Sequence, residues 1–235
     1  MAKPKLALIP ATQGSKLYSV LPADGVGDFT FSRNTGATRI NKDGLIETVA
    51  SGVSRLNYPL IDGVVNGCPS HLLEPSRTNL ITYSEAFSQS SWQKNSVGSS
   101  SIPIIASNFA ISPDGTQNAT RVQFNISGST SSDRSSLENI SALDGSSNYT
   151  LSFYIKSNTG VNQNLSIWSN SAYGNSITVT NEWVRVVQTF SSNSTFNRGF
   201  GLAASGNIQQ SVDVLIYGAS LEQGSYATSY IPTSG

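Results

Sequence analysis

Apolar and polar residues alternate with a period of two in four stretches of this chain. In residues 150–156, Leu151, Phe153 and Ile155 alternate with Ser152, Tyr154 and Lys156. In residues 119–126, Val122, Phe124 and Ile126 share one face, opposite Arg121, Gln123 and Asn125. Residues 183–190 and 212–217 repeat the pattern. Such alternation buries one face of a strand and wets the other, the habit of antiparallel sheets. No window of a dozen residues keeps apolar positions at i, i+3, i+4 and i+7 without a Gly, Pro or β-branched interruption, so no helix is expected. Turn clusters separate the runs: Ser112-Pro113-Asp114-Gly115, Asp144-Gly145-Ser146-Ser147-Asn148, Asn158-Thr159-Gly160 and Ser205-Gly206-Asn207. The pattern predicts an all-β protein, with a jelly-roll β-sandwich over residues 80–235.

Residues 1–79 read differently. Residues 28–31 and 37–40 are short strand candidates joined by Arg33-Asn34-Thr35-Gly36, and Asn41-Lys42-Asp43-Gly44 is a second turn leading into 45–49. Beyond it, Tyr58-Pro59, Asp62-Gly63, Gly67-Cys68-Pro69 and Glu74-Pro75 punctuate a segment with too few contiguous apolar residues for a core of its own. The expectation is an extended attachment and oligomerisation arm with one or two hairpins that packs on other chains; the alternative is a first strand pair of the same sandwich. Residues 125–148, rich in Ser, Asn, Gly and Thr, are expected to form a long solvated loop or a polar edge strand.

Composition narrows the chemistry. The chain has 235 residues, enough to bury a substantial core, yet only 12% of them are charged. Lys+Arg 14 balances Asp+Glu 14, which removes the electrostatic reason to expect nucleic acid or an anionic membrane as partner. One Cys and one His exclude an intrachain disulfide and a zinc site built mainly from those residues. No apolar run approaches the roughly 20 residues that span a bilayer. The first ten residues hold a four-residue apolar stretch closed by Pro10, too short for a signal peptide.

Catalysis is not expected. His71 is the one imidazole available to a nucleophile, and it lies three residues from Cys68 with no Gly-x-Ser-x-Gly elbow anywhere. Among the acidic residues of the sandwich region, Asp114 and Asp144 sit in turns, while Glu85, Glu138, Glu182, Asp213 and Glu222 lie apart. No two alternate on one strand face, as a glycosidase pair would need. Phosphate-cradling glycine motifs are missing, and no cofactor is expected. A structural Ca²⁺ would draw on Asp114 and Asp213, with plain turn and strand aspartates the simpler reading.

Sugar binding fits better. Trp168 and Tyr173 lie in a turn-rich stretch with Asn170 and Asn175, giving aromatic faces to stack on pyranose rings and amides to bond hydroxyls. At Trp168 ligand stacking and core packing remain alternatives, whereas Trp92 and Trp183 are expected to pack. The Asn-x-Ser/Thr triplets follow from composition.

Several longer pieces carry a resemblance. Leu17-Tyr-Ser-Val-Leu-Pro-Ala-Asp-Gly, Asp28-Phe-Thr-Phe-Ser-Arg-Asn-Thr-Gly-Ala-Thr-Arg-Ile, Leu56-Asn-Tyr-Pro and Leu73-Glu-Pro-Ser-Arg-Thr-Asn-Leu resemble a module recurring in tailed-bacteriophage virion proteins. Ser84-Glu-Ala-Phe, Trp92, Pro113-Asp-Gly-Thr, Asn181-Glu-Trp-Val and the ending Gly218-Ala-Ser-Leu-Glu-Gln-Gly-Ser-Tyr-Ala-Thr-Ser-Tyr-Ile-Pro-Thr are similar to the carbohydrate-binding-like jelly roll that follows it. The resemblance implies a structural virion protein assembled in the host cytoplasm: a head fibre, a tail fibre or a capsid decoration. Since phage fibres are typically trimers, it implies a trimer docked on capsid or tail by its arm, with a role in host attachment through surface glycans. It implies no particular ligand. A neutral Ser/Thr/Asn surface suits such exposure, having few charges for salt to screen. The rival readings are a polysaccharide-active enzyme, such as a depolymerase or lyase, and a free bacterial lectin.

Overall fold

The computed structural model describes residues 11–13, 16–18, 32–141, 143–168, 175–192 and 198–235. The predicted strand at 28–31 lies outside them. The chain divides into two compact units, Met1–Pro75 and Ser76–Gly235.

Among its described residues the first unit is a set of small antiparallel pairs. Strand β1 (Ala11–Gln13) pairs with β2 (Lys16–Tyr18), and β3 (Ala37–Ile40) with β4 (Ile46–Val49). Asn41 closes the β3–β4 turn, its Oδ1 accepting the backbone N–H of Asp43 at 2.9 Å and of Leu45 at 3.0 Å, as Asn does in turns. Then β5 (Leu56–Asn57) pairs with β8 (Ser70–His71) around the tight hairpin of β6 (Leu60–Ile61) and β7 (Val64–Val65). Buried Arg55 donates from Nη1 to the Thr38 carbonyl at 2.8 Å and to Glu74 Oε2 at 2.9 Å. Such pairing is what makes a buried guanidinium tolerable.

The second unit is a jelly-roll sandwich, with ten strands among its described residues. They are β9 (Trp92–Val97), β10 (Ile104–Ala110), β11 (Ala119–Asn125), β12 (Arg134–Ile140), β13 (Asn148–Ser157), β14 (Gln163–Trp168), β15 (Ser176–Val179), β16 (Val184–Ser191), β17 (Arg198–Ser205) and β18 (Ser211–Gln223). One sheet has the order β10-β11-β18-β13-β16 and the other β15-β14-β17-β12-β9. Val122, Phe124, Leu151, Phe153, Ile155, Val214 and Ile216 of the first sheet pack on Leu137, Leu165, Ile167 and Leu202 of the second. Every fully buried member of this core falls between Ile81 and Leu221. At about 25 cal/mol per Å² of apolar area removed from water, it dominates the unit's stability.

Three expectations need correction or extension. Residues 134–140 are neither a solvated loop nor an edge: β12 lies inside its sheet between β17 and β9. Its Ser135, Ser136, Glu138 and Asn139 are buried although polar, because ladder hydrogen bonds on both sides satisfy the backbone and Ser136 Oγ donates to Glu138 Oε1 at 2.6 Å. The run at 212–217 continues to Gln223. Gly218, at φ 61°, inserts a bulge against β13 between Ser152 and Tyr154, after which Ala219 and Leu221 return to the core. Finally, Trp92 is buried against Phe87, ring centroids 4.7 Å apart, and its Nε1–H donates to the Tyr83 carbonyl at 2.8 Å, but Trp183 is only half-buried and precedes β16.

The segment that enters the sandwich and the segment that ends the chain meet in space. Asn79 Nδ2 donates to the carbonyls of Ala219 at 3.0 Å and Ile231 at 2.8 Å, and its Oδ1 accepts the backbone N–H of Leu221 at 3.0 Å. Tyr230 donates to Glu85 Oε1 at 2.8 Å, and Thr228 Oγ1 to the buried Glu222 at 2.5 Å. Residues 76–79 therefore belong to the sandwich unit and stitch its last segment down.

Candidate functional site

Of the four glycan-binding candidates, Asn170 and Tyr173 lie outside the described residues. Trp168 ends β14 with its Cα opposite Gly201. Asn175 is exposed just before β15, and its carbonyl accepts the backbone N–H of Ile167 at 2.9 Å. The backbone thus brings Asn175 to the strand end that carries Trp168. Asn164 and Ser166, which alternate with the core residues Leu165 and Ile167, pair with Thr178 and Ser176 of β15.

A cleft that the sequence did not announce opens where β12 ends, β13 begins and β18 ends. It has a volume of about 630 Å³, within the range of small-molecule sites. Ser76, Arg77, Thr78 and Leu80 line it from the segment entering the sandwich, Leu143 and Asp144 from the β12–β13 loop, with Tyr149 and Gln223 at the strand ends. The Asp144-Gly145-Ser146-Ser147 turn is one wall. Asp144 accepts the Ser147 hydroxyl, the backbone N–H groups of Ser146 and Ser147 at 2.9 Å, and the Ser192 hydroxyl at 3.2 Å. These bonds, that from the Ser147 hydroxyl first, hold its carboxyl far below the usual carboxylate range. On another side the Arg77 guanidinium donates from Nη1 to the Gln223 carbonyl and sits 5.3 Å from the centroid of the half-exposed Tyr226 ring. No pattern in sequence pointed here, because Arg77 and Gln223 are 146 residues apart.

Both aspartates considered for Ca²⁺ are engaged elsewhere. Asp213 takes the Arg121 guanidinium, and Asp114 accepts Ser112, Thr116, Asn118 and Tyr217 donors. Asn118 Nδ2 spans Asp114 Oδ2 at 2.9 Å and Glu85 Oε2 at 3.4 Å. These two carboxylates are neighbours in space although far apart in sequence. Among the described residues no group of three or more His, Cys, Asp or Glu could hold a metal ion.

No protein-family model and no curated protein matches the sequence. Solved structures similar to it include the xylan-binding CBM22-1 domain of Paenibacillus barcinonensis Xyn10C, at 14% identity over 66% of this chain and 100% of that one, TM-score 0.43. The family 11 carbohydrate-binding module of Clostridium thermocellum Lic26A-Cel5E matches at 12% identity over 65% of this chain and 96% of that one, TM-score 0.41. The enzymatically active domain of tailspike protein 4 of bacteriophage CBA120 matches at 11% identity over 62% of this chain but only 21% of that one, TM-score 0.40.

Proposed function

We propose that the chain is a non-catalytic, glycan-binding virion protein of a tailed phage, in which the first unit, residues 1–75, attaches and oligomerises and the sandwich unit, residues 76–235, is displayed. The observation that carries the binding half is the cleft beside Arg77. A sugar ring offers hydroxyl donors and acceptors at its rim and C–H faces above and below. The cleft answers with Ser76 and Thr78 hydroxyls, the Gln223 amide, the Asp144 carboxylate, and the apolar Leu80 and Leu143. Trp168, Asn170, Tyr173 and Asn175 form a second contact surface in this reading.

The attachment half is supported by apolar side chains left bare in the first unit. Ile61, Val64 and Leu73 are 56%, 68% and 72% exposed, and such residues suit a surface covered on assembly. The reading is a trimer carried on the head or tail as a fibre or decoration, with capsid or tail proteins as partners.

Binding of the full chain to an array of bacterial surface polysaccharides, with no release of reducing ends, is the expected result. Trp168→Ala is expected to weaken that binding by about 1–3 kcal/mol. Release of reducing ends would replace this reading with a polysaccharide-active enzyme, and silence across the array would remove the glycan role. Particles assembled with a chain lacking residues 1–60 are expected to leave it behind; its normal incorporation refutes the attachment half.

A further inference from the structure

We propose that the cleft selects an acidic sugar, with Arg77 clamping the sugar's carboxylate and Gly224 providing the guanidinium's seat. The proposal rests on the glycan-binding reading above and names the class of ligand for that site. Arg39, Arg55 and Arg121 are each ion-paired, to Glu47, Glu74 and Asp213. Arg77 has no carboxylate partner among the described residues. Its one hydrogen bond runs from Nη1 to the Gln223 carbonyl, and its Nε is buried without an acceptor. A guanidinium has five N–H donors in a planar fork matched to a carboxylate, so most of that capacity is unspent here.

The seat is built for this group. Gly224 has φ 138°, and a Cβ there would sit 2.5 Å from Arg77 Nη2 and 2.6 Å from its Cζ, so any side chain evicts the guanidinium. Gly224 itself is pinned: its N–H donates to the Asn148 carbonyl and its own carbonyl accepts Thr150 Oγ1, both at 2.8 Å. Arg77 is therefore preorganised by backbone contact and by the Tyr226 ring, which lowers the ordering cost of binding.

The opposite wall decides between kinds of anion. Gln223 stands between the two charges, its carbonyl on Arg77 and its Nε2 reaching Ser147 Oγ at 2.9 Å and Asp144 Oδ2 at 3.5 Å. A bare carboxylate drawn to Arg77 meets the negative Asp144 with nothing to offer it. A neutral sugar satisfies Asp144 but leaves the guanidinium fork facing hydroxyls. A sugar acid supplies a carboxylate to Arg77 and hydroxyl donors to Asp144.

The test is titration of the full chain with glucuronate, glucose and acetate, followed by amide chemical shifts in NMR spectra. Glucuronate is expected to bind about tenfold more tightly than either of the others, with the largest shifts around Arg77, Gln223 and Gly224. Arg77→Lys keeps the charge but loses the fork, and is expected to lower glucuronate affinity about tenfold. Gly224→Ala is expected to do the same with the sandwich's amide spectrum otherwise retained. Glucose or acetate binding as tightly as glucuronate, or Arg77→Lys binding unchanged, overturns the proposal. If polysaccharides still bind on the array in that event, this inference falls alone; if no saccharide binds anywhere, the glycan reading falls with it.

Discussion

Arg121 on β11 and Asp213 on β18 meet side by side across adjacent strands of the first sheet. Arg121 Nε lies 2.9 Å from Oδ1 and 3.1 Å from Oδ2, and Nη2 lies 2.5 Å from Oδ2. The guanidinium also sits 4.9 Å from the centroid of the Phe109 ring, and Asn158 Nδ2 donates to Asp213 Oδ1 at 3.2 Å. The pair is a diagonal brace on the outer face of the sheet.

Because the Arg121 and Asp213 side chains keep only 27% and 15% of their exposure, removing one partner strands the other in a partly dry site. Asp213→Asn is expected to cost about 1–3 kcal/mol in urea unfolding. The double variant with Arg121→Ala is expected to cost less than the sum of the singles. Strict additivity would show that the pair does not interact.

In the core, Phe153 is fully buried between the two sheets. Phe153→Ala leaves a cavity that neighbouring strands fill only in part, and an expected loss of about 3–5 kcal/mol follows. A loss under about 1 kcal/mol in denaturant unfolding would mean that the core collapses onto the gap.

The bulge in β18 makes a sharper prediction. At Gly218 a Cβ would meet the Tyr230 ring at 3.3 Å and Tyr154 at 3.4 Å, with the backbone at φ 61°. Gly218→Ala is expected to destabilise the sandwich by about 1–3 kcal/mol through the backbone alone, and to loosen residues 228–234. Faster amide hydrogen exchange in that last segment is the accompanying observable.

Acid sensitivity follows from four carboxyls. Asp144 is held low by Ser147, Ser146 and Ser192 donors, and Asp133 by the Thr130 hydroxyl and by backbone N–H groups of Ser99 and Thr130. At Asp114 and Asp213 burial pushes upward, but donors from Ser112, Thr116 and Asn118 in the first case, and from Arg121 and Asn158 in the second, outweigh it. All four have folded values below their unfolded values, near 3.9. Their contribution is whole above about pH 4 and is lost as pH falls through the folded values. The urea midpoint is expected to hold between pH 7 and pH 5 and to drop at pH 3; a constant midpoint down to pH 3 would falsify this.

Since every fully buried core residue lies between Ile81 and Leu221, residues 76–235 are expected to fold without the first 75. A cooperative thermal transition of that fragment, close to the full chain's main transition, is the measurement. A fragment without one would show that the sandwich needs the leader.

Alternation in the sequence located β11, β13 and β16 and the first half of β18, because a period of two is a local property that each strand carries by itself. Trp92 was legible as a core residue for a similar reason, sitting beside Phe87. The same reading failed at β12. Its Ser135, Ser136, Glu138 and Asn139 show no alternation, and they are buried because β17 and β9 enclose the strand.

The sequence alone thus determined the all-β class, the turns and most of the apolar core, since these depend on neighbours along the chain. Tertiary structure decided which polar groups are buried, how Asn79 ties the last segment down, and that Arg77 lies over Gly224. Those contacts join residues some 140 positions apart, and their chemistry exists only once the entering segment has docked on β18.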